Sequence, residues 1–267
     1  MIQFWISGLR AAIRGRSFWA IFLFGIALVF VAYLSGSFSP RQPRTVALDV
    51  GLSGIRITLV LLNIFWIQEL LAKEIDRKSV LFSLTYPVAR TDYVLGRYLA
   101  VLTMSMLAVV VFGLSLVVVV SLTGGFYYQE FAVVLGWPLI ATLFGIFVDV
   151  SVVAAFAIWV SSISSVTVMP IATGFAFAIA GKALGATMDY LAGGADGDQQ
   201  LAKTYDPLIA VIRWVLPDLS RLDWRDWPMY GKVLQFDVAL ASLVMACCYI
   251  LLMLMLTAST IRKREFY

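Results

Sequence analysis

Four ionisable residues stand inside long apolar stretches of the chain: Arg56, Glu69, Asp149 and Lys182. Charged groups in such surroundings are costly, and they commonly mark a transport pathway or a buried ion pair. Asp149 lies mid-way along its stretch, whereas the other three lie near the ends of theirs and can reach the polar surface. Because Lys182 is about four helical rises of about 1.5 Å from the depth of Asp149, the pattern predicts a pair between them, with a substrate contact as the alternative.

The chain lacks one residue type on which many enzyme sites depend, and its cysteines and glycines do not form a recognisable site. The chain contains no histidine, which excludes histidine-dependent triads and zinc sites built on imidazole. Cys247 and Cys248 are neighbours in an apolar stretch, which is typical of packing residues rather than of a metal site or a disulfide. Gly181–Lys182 resembles the end of a P-loop, but Ala176 replaces the first glycine and Ala183 replaces the magnesium-binding hydroxyl. We therefore expect no enzymatic activity and no cofactor bound by this chain.

A second candidate site is the segment Lys73–Arg97, which mixes charged and apolar residues between two apolar stretches. Asp76 can cap a short helix that Pro87 ends. Apolar members of this helix such as Val80 and Leu84 need a surface to pack against, because a plain surface loop would not usually keep them together in water. A cytoplasmic partner protein and the inner membrane leaflet are both candidates for that surface.

The elements that must position these residues are membrane helices. The chain has 267 residues, of which 61% are hydrophobic and 13% charged, a composition that water-soluble domains of this size do not show. Its apolar runs lack the alternation of barrel strands, so an all-α membrane protein is predicted. Runs close to the ~20 residues that cross a bilayer predict six transmembrane helices, the fifth of them interrupted by a proline and several glycines: Ser17–Ser35, Gly54–Ala72, Tyr98–Ser121, Pro138–Val160, Val166–Ala186 and Phe236–Ala258.

The Lys and Arg residues in short flanking segments predict the orientation of the spans. Eleven of them lie before the first span, between the second and third, and after the last, whereas the short opposite loops hold only Arg41 and Arg44. Both termini are therefore predicted to be cytoplasmic, in a multi-pass protein of the plasma (inner) membrane. The formal net charge of +4 arises from basic residues beside apolar spans, so no nucleic-acid partner is expected.

Two further segments are predicted to lie at the membrane surface. Residues 1–16 predict an interfacial helix, because Ile2, Trp5 and other apolar residues fall within one arc beside basic ones. In the extracytoplasmic segment 187–235, Asp206–Pro207 predicts the start of a helix that is too short to span. The short helices before the last span are therefore re-entrant or interfacial, or they form a small outer cap.

Three short motifs resemble those of a known family. Glu69 and Glu74 stand at the end of the second span, Leu84-Thr-Tyr-Pro-Val-Ala-Arg90 follows, and Leu95-Gly-Arg97 opens the third. With the order of the spans, this arrangement resembles the type-2 class of ABC exporter permeases, including the subfamily that contains the permease of the nitrous-oxide-reductase maturation system. The resemblance covers most of the chain, as a single permease domain over residues 1–267.

The resemblance implies a mechanism and a set of interface residues. The segment 73–97 would be a cytoplasmic coupling helix that docks on a separate ATPase subunit, where ATP and magnesium are bound. A second permease copy, identical or different, would complete the pathway, and a hydrophobic, amphipathic or lipid-linked substrate would move outward in contact with membrane lipid. Gly96 would help to shape the turn back into the membrane, and the residues that would contact the ATPase or shape the loop are Glu74, Arg77, Val80, Leu81, Leu84, Pro87 and Arg90.

Three other functions remain open on the sequence. A stand-alone ion-coupled transporter would show inverted repeats, broken helices and several buried charges, of which one aspartate is evident. A membrane-embedded enzyme with a carboxylate mechanism is disfavoured by the lack of a recognisable nucleophile arrangement. A non-transporting anchor would use the same inner loop to hold a cytoplasmic protein.

Overall fold

The structure is a computed structural model that describes residues 1–72, 90–123, 132–164, 166, 168–192 and 216–263. Every regular element in these ranges is helical, as the sequence predicts. The elements in chain order are α1 (Ile2–Arg14), α2 (Arg16–Ser37), α3 (Pro43–Ile67) with a π-helical turn (Gln68–Ala72), α4 (Arg90–Leu122), α5 (Trp137–Ile163), α6 (Met169–Ala192), a 3-10 helix (Leu219–Leu222), α7 (Asp226–Tyr230) and α8 (Phe236–Lys263).

Five of the described helices, α2 to α5 and α8, are long and apolar enough to cross a membrane, which makes this a multi-pass membrane protein. The predicted fifth span, Val166–Ala186, corresponds to α6, which begins at Met169. Pro170 suits the first turn of that helix, where no intrahelical donor is needed. Its apolar part, Met169–Gly185, is shorter than the five spans, so a sixth crossing is not established.

Helix α3 begins at Pro43, well before the predicted start of the second span at Gly54. Proline at the first helical position fixes a helical φ and lacks only an N–H that would have no partner there. Arg44 and Asp49, which interrupt the apolar pattern, therefore lie on the helix rather than in a loop. The guanidinium Nε of Arg44 donates to the carbonyl of Thr123, 3.1 Å away, at the end of α4.

The centre of the bundle is α3, which packs against α2, α4 and α5. In the most apolar stretch of 18 residues, 67% of the residues of α3 are buried, against 17% for α2 and 22% for α8. Helices α2 and α8 therefore lie at the periphery of the bundle. Leu52, Leu59 and Trp66 of α3 and Phe112 of α4 are among the fully buried core side chains. The functional side chains of α3 are consequently enclosed by protein on several sides.

The segments outside the predicted spans are only partly described. In the predicted coupling segment, residues 73–89 lie outside the described residues, and 90–97 already belong to α4. In the segment 187–235, residues 187–192 continue α6, 193–215 with Asp206–Pro207 lie outside the described residues, and two short helices follow. The helix predicted within residues 1–16 is α1.

The two short helices before α8 enter the bundle beside α5. Leu219 and Leu222 are fully buried. The carbonyl of Leu222 lies so close to Gly145 that a Cβ there would sit 2.5 Å from it, and Gly145 is two turns inside α5. This segment therefore packs along α5 and does not merely cover its end.

Candidate functional site

Six ionisable side chains from four parts of the chain lie close together and are here called the charged cluster. They form two hydrogen-bonded sets, one that joins α3 to α5 and one that joins α6 to α3. α3, α5 and α6 each contribute at least one member, and the segment between the 3-10 helix and α7 contributes two. Three members are acidic and three basic, so the cluster has no formal net charge. The members are Asp49, Arg56, Asp149, Lys182, Asp223 and Arg225.

The innermost pair of the cluster joins α3 to α5. The guanidinium Nε of Arg56 donates to Asp149 Oδ2 at 2.5 Å, and the two side chains are only 15% and 4% exposed. The second carboxylate oxygen of Asp149, Oδ1, is buried and has no hydrogen-bond partner among the described residues. This oxygen can therefore accept a further hydrogen bond.

The direct pair predicted between Asp149 and Lys182 is not present, because each has another partner. Arg56 was expected near the outer end of a span starting at Gly54. Since α3 begins at Pro43, Arg56 lies more than three turns inside its helix, as Asp149 does inside α5. The two side chains therefore reach the same depth.

The outer part of the cluster holds residues 216–235, which carry the 3-10 helix and α7 and are here called the short-helix segment, against the bundle. Lys182 Nζ of α6 donates to Asp223 Oδ2. Arg225 Nε donates to Asp223 Oδ1 at 2.8 Å, while its Nη1 donates to Asp49 Oδ1 at 2.7 Å and to Ser53 Oγ at 3.0 Å. Asp223 and Arg225 thus connect α6 to α3 through two charged side chains.

Asp223 and Arg225 are both held in their charged forms. Burial raises the pKa of Asp223, but hydrogen bonds from Arg225 and Lys182 outweigh burial and bring this pKa below its ordinary value. Burial lowers the pKa of Arg225, but hydrogen bonds to Asp223 and Asp49 outweigh it and leave the pKa raised. Removing one partner would leave an uncompensated charge, which is more costly than replacing the pair.

Polar side chains continue from the cluster along one face of α3. Asp49, Ser53, Arg56 and Asn63 are spaced by four, three and seven residues, which places them within one arc at about 100° per residue. Asn63 is fully buried, and its Oδ1 accepts from Ser105 Oγ of α4 at 2.7 Å. At about 1.5 Å per residue this polar face extends about 21 Å, a large part of a hydrocarbon core of about 30 Å.

Sequence reasoning missed Asp49, Ser53, Asp223 and Arg225 as members of a site. The spacing of the polar residues on α3 was a usable signal, but it is visible only when the helix is started at Pro43. Asp223 and Arg225 stand in a loop-like charged stretch, and nothing local indicates that they enter the bundle.

At the other end of α3, α1 packs on the beginning of α4. The ring of Phe4 meets that of Tyr93 edge-on, with centroids 5.4 Å apart, and Trp5 Nε1 donates to Thr103 Oγ1 at 3.0 Å. A Cβ at Gly96 would lie 2.7 Å from Phe4 Cβ. Gly96 is therefore a helical residue that makes room for α1, and not part of a turn as expected.

The π-helical turn after α3 meets the same assembly. A Cβ on Gly15, between α1 and α2, would overlap the carboxylate of Glu69. We call α1, the π-helical turn and the first turns of α4 the collar. The collar contains both flanks of the segment 73–89, with Arg90 as the first residue of α4. The other predicted interface residues lie outside the described residues: Glu74, Arg77, Val80, Leu81, Leu84 and Pro87.

No group of three or more metal-ligating side chains occurs in the part of the chain that the structure describes. The chain matches no protein-family model and no characterised protein. The collar and the charged cluster are therefore the features that bear on its function.

Proposed function

We propose that this chain is the membrane permease subunit of an ATP-driven exporter of the type-2 class, working with a separate cytoplasmic ATPase and a second permease copy. It would move a hydrophobic, amphipathic or lipid-linked substrate outward across the plasma (inner) membrane, with both termini in the cytoplasm. The observation that supports the proposal is the collar, in which α1 and Gly15 pack against both flanks of the segment 73–89.

The collar is suited to transmit force from an ATPase. Close-packed interiors move as units, because small displacements are not absorbed by empty space. A push on the segment 73–89 would therefore move the end of α3, the start of α4 and α1 together. The ATPase dimer would supply the differential contact that any such switch requires.

The charged cluster supplies the second part of the mechanism. It lies in the N-terminal half of α3, away from the collar, and it holds the short-helix segment against α3 and α6. Opening of this end would separate Asp223 from Lys182. The free Oδ1 of Asp149 is then a suitable acceptor for Lys182, so the lysine would not be left unpaired.

The experiment is purification of the detergent-solubilised complex through this chain, from wild type and from a Val80→Asp/Leu84→Asp variant. We expect a P-loop ATPase and its activity to accompany the wild type and to be lost from the variant. Phe38→Asp is the control, because Phe38 is 84% exposed at the end of α2, far along the chain from the coupling segment. That control should retain the ATPase.

A stand-alone ion-coupled transporter is the second candidate, and the buried Oδ1 of Asp149 favours it, because buried carboxylates often serve ion pathways. A chain that purifies without an ATPase and, in vesicles, takes up substrate only under a proton or sodium gradient would replace the exporter proposal by this one.

A further inference from the structure

Helix α1 has three different faces. At about 100° per residue, Phe4, Gly8 and Ala12 form the face that packs on α4, and Gly8 and Ala12 are buried there. A second face carries three exposed isoleucines, and a third carries polar and basic residues. The residues of the second and third faces are exposed.

The isoleucine face is suited to contact with the acyl chains of lipids. Ile2, Ile6 and Ile13 are 66%, 39% and 47% exposed. Only Gly15, in an extended conformation, separates α1 from α2, a candidate membrane span. This connection keeps α1 at the membrane surface where α2 begins, so its exposed isoleucines lie within reach of the acyl chains.

The basic face is suited to an anion. Arg10 and Arg14 are one turn apart and exposed, and neither forms an ion pair with a described residue. Helix α1 contains no Asp or Glu. The side chains of both arginines border a shallow, open groove of about 460 Å³ on the surface of α1, together with Gln3, Ile6, Ser7 and Ala11 of the same helix. The groove combines two guanidinium groups with an amide and a hydroxyl, all of which can donate to phosphate oxygens.

We propose that this groove binds the phosphate group of an anionic phospholipid, with the isoleucine face in the acyl region beneath it. A cytoplasmic protein would also suit two arginines, but it would leave the isoleucines next to lipid without explaining them. A lipid satisfies both faces at once, since an arginine at an anionic leaflet and an apolar residue at the acyl boundary are each favourable. This proposal does not depend on what the protein transports.

The test uses the full chain in nanodiscs of phosphatidylcholine containing either brominated phosphatidylglycerol or brominated phosphatidylcholine. Brominated lipids quench tryptophan fluorescence, and the fluorescence of Trp5 is obtained by subtracting that of a Trp5→Phe derivative from that of each protein. The quenching of Trp5 is then compared between the two lipids. We expect wild type to prefer phosphatidylglycerol, and Arg10→Gln/Arg14→Gln to reduce the preference by roughly fivefold for each arginine, the contribution of a basic residue near an anionic leaflet. In wild type the preference should also weaken strongly at 1 M salt, where the screening length is about 3 Å.

The control is Arg41→Gln/Lys232→Gln, which removes the same charge from two exposed positions outside α1 and should keep the preference. A wild-type preference that is absent or insensitive to salt would overturn the proposal, even if the arginine variant does not fold. Equal preference in wild type and the arginine variant would overturn it as well. Loss of a bound protein from that variant, with lipid preference unchanged, would assign the face to the protein instead.

Discussion

At the scale of single residues, the Arg56–Asp149 pair is the feature whose stability depends most on both partners being present. Both side chains are almost completely enclosed, and the desolvation of two charges is offset only while each has the other. Buried pairs of this kind contribute little compared with well-packed apolar residues of similar size, yet the loss of one member is strongly destabilising. The pair is therefore best tested by removing its members singly and together.

We expect Asp149→Leu to destabilise the protein by about 3–5 kcal/mol, because it leaves the Arg56 guanidinium buried without a counter-charge. Arg56→Met should have a similar effect, whereas the double variant Arg56→Met/Asp149→Leu should recover most of the loss. Thermal unfolding of the purified protein in detergent measures all three variants. A double variant no more stable than the singles would show that the pair is not the main interaction at these positions.

At the scale of elements, the packing of α1 on α4 depends on the missing side chain at Gly96. Overpacking of a close helix contact costs about 1–3 kcal/mol, and a β-branched residue here would meet the backbone of α1 directly. The contact also orients the lipid-binding groove, since Gly8 and Ala12 lie on the opposite side of the helix from the arginines.

We expect Gly96→Val to separate α1 from α4 while the spans stay folded. Amide hydrogen exchange should then rise through residues 2–14 and remain unchanged in α5. Leu95→Val is the matched control, because the same β-branched residue is introduced at a position that is 37% exposed. Equal protection of α1 in the two variants would contradict the role assigned to Gly96.

At the scale of the whole molecule, the collar and the charged cluster stand at opposite halves of α3. The first joins the flanks of the segment 73–89, and the second joins the short-helix segment to α3 and α6. A movement of α3 would therefore reach both the collar and the charged cluster, as the proposed transport function requires.

The pH dependence of the short-helix segment follows from Asp223. Its pKa is lowered in the folded protein, so its charge contributes stability above the ordinary aspartate pKa of about 4, and this contribution is lost as pH falls through the lower, folded-state value. We expect Asp223→Asn to be less stable than wild type at neutral pH and the difference to shrink below about pH 4. Proteolysis of the segment 216–235 and thermal unfolding between neutral pH and about pH 3 measure this. A difference that grows on acidification would show that Asp223 is not held as a carboxylate.

The sequence by itself determined the secondary structure that depends on residues close together along the chain. Apolar runs of sufficient length predicted the helices of α2, α4, α5 and α8, since backbone groups in lipid must bond within their own segment. The helix within residues 1–16 was predicted from local periodicity, and α1 occupies this range. The short helix predicted to begin at Asp206–Pro207 lies outside the described residues, so it stays a prediction. The coupling segment and the resemblance to exporter permeases stay predictions.

Tertiary structure decided what depends on which faces meet. The partner of Asp149 depended on where α3 begins. The charges of Arg44 and Asp49 made the start of the helix look like a loop, because the groups that compensate them, the Thr123 carbonyl and Arg225, are distant in sequence. Gly96 acquired its role only when α1 was folded back onto α4. The energy of a charge in an apolar bundle depends on its partner in space, and hydropathy along the chain does not carry that information.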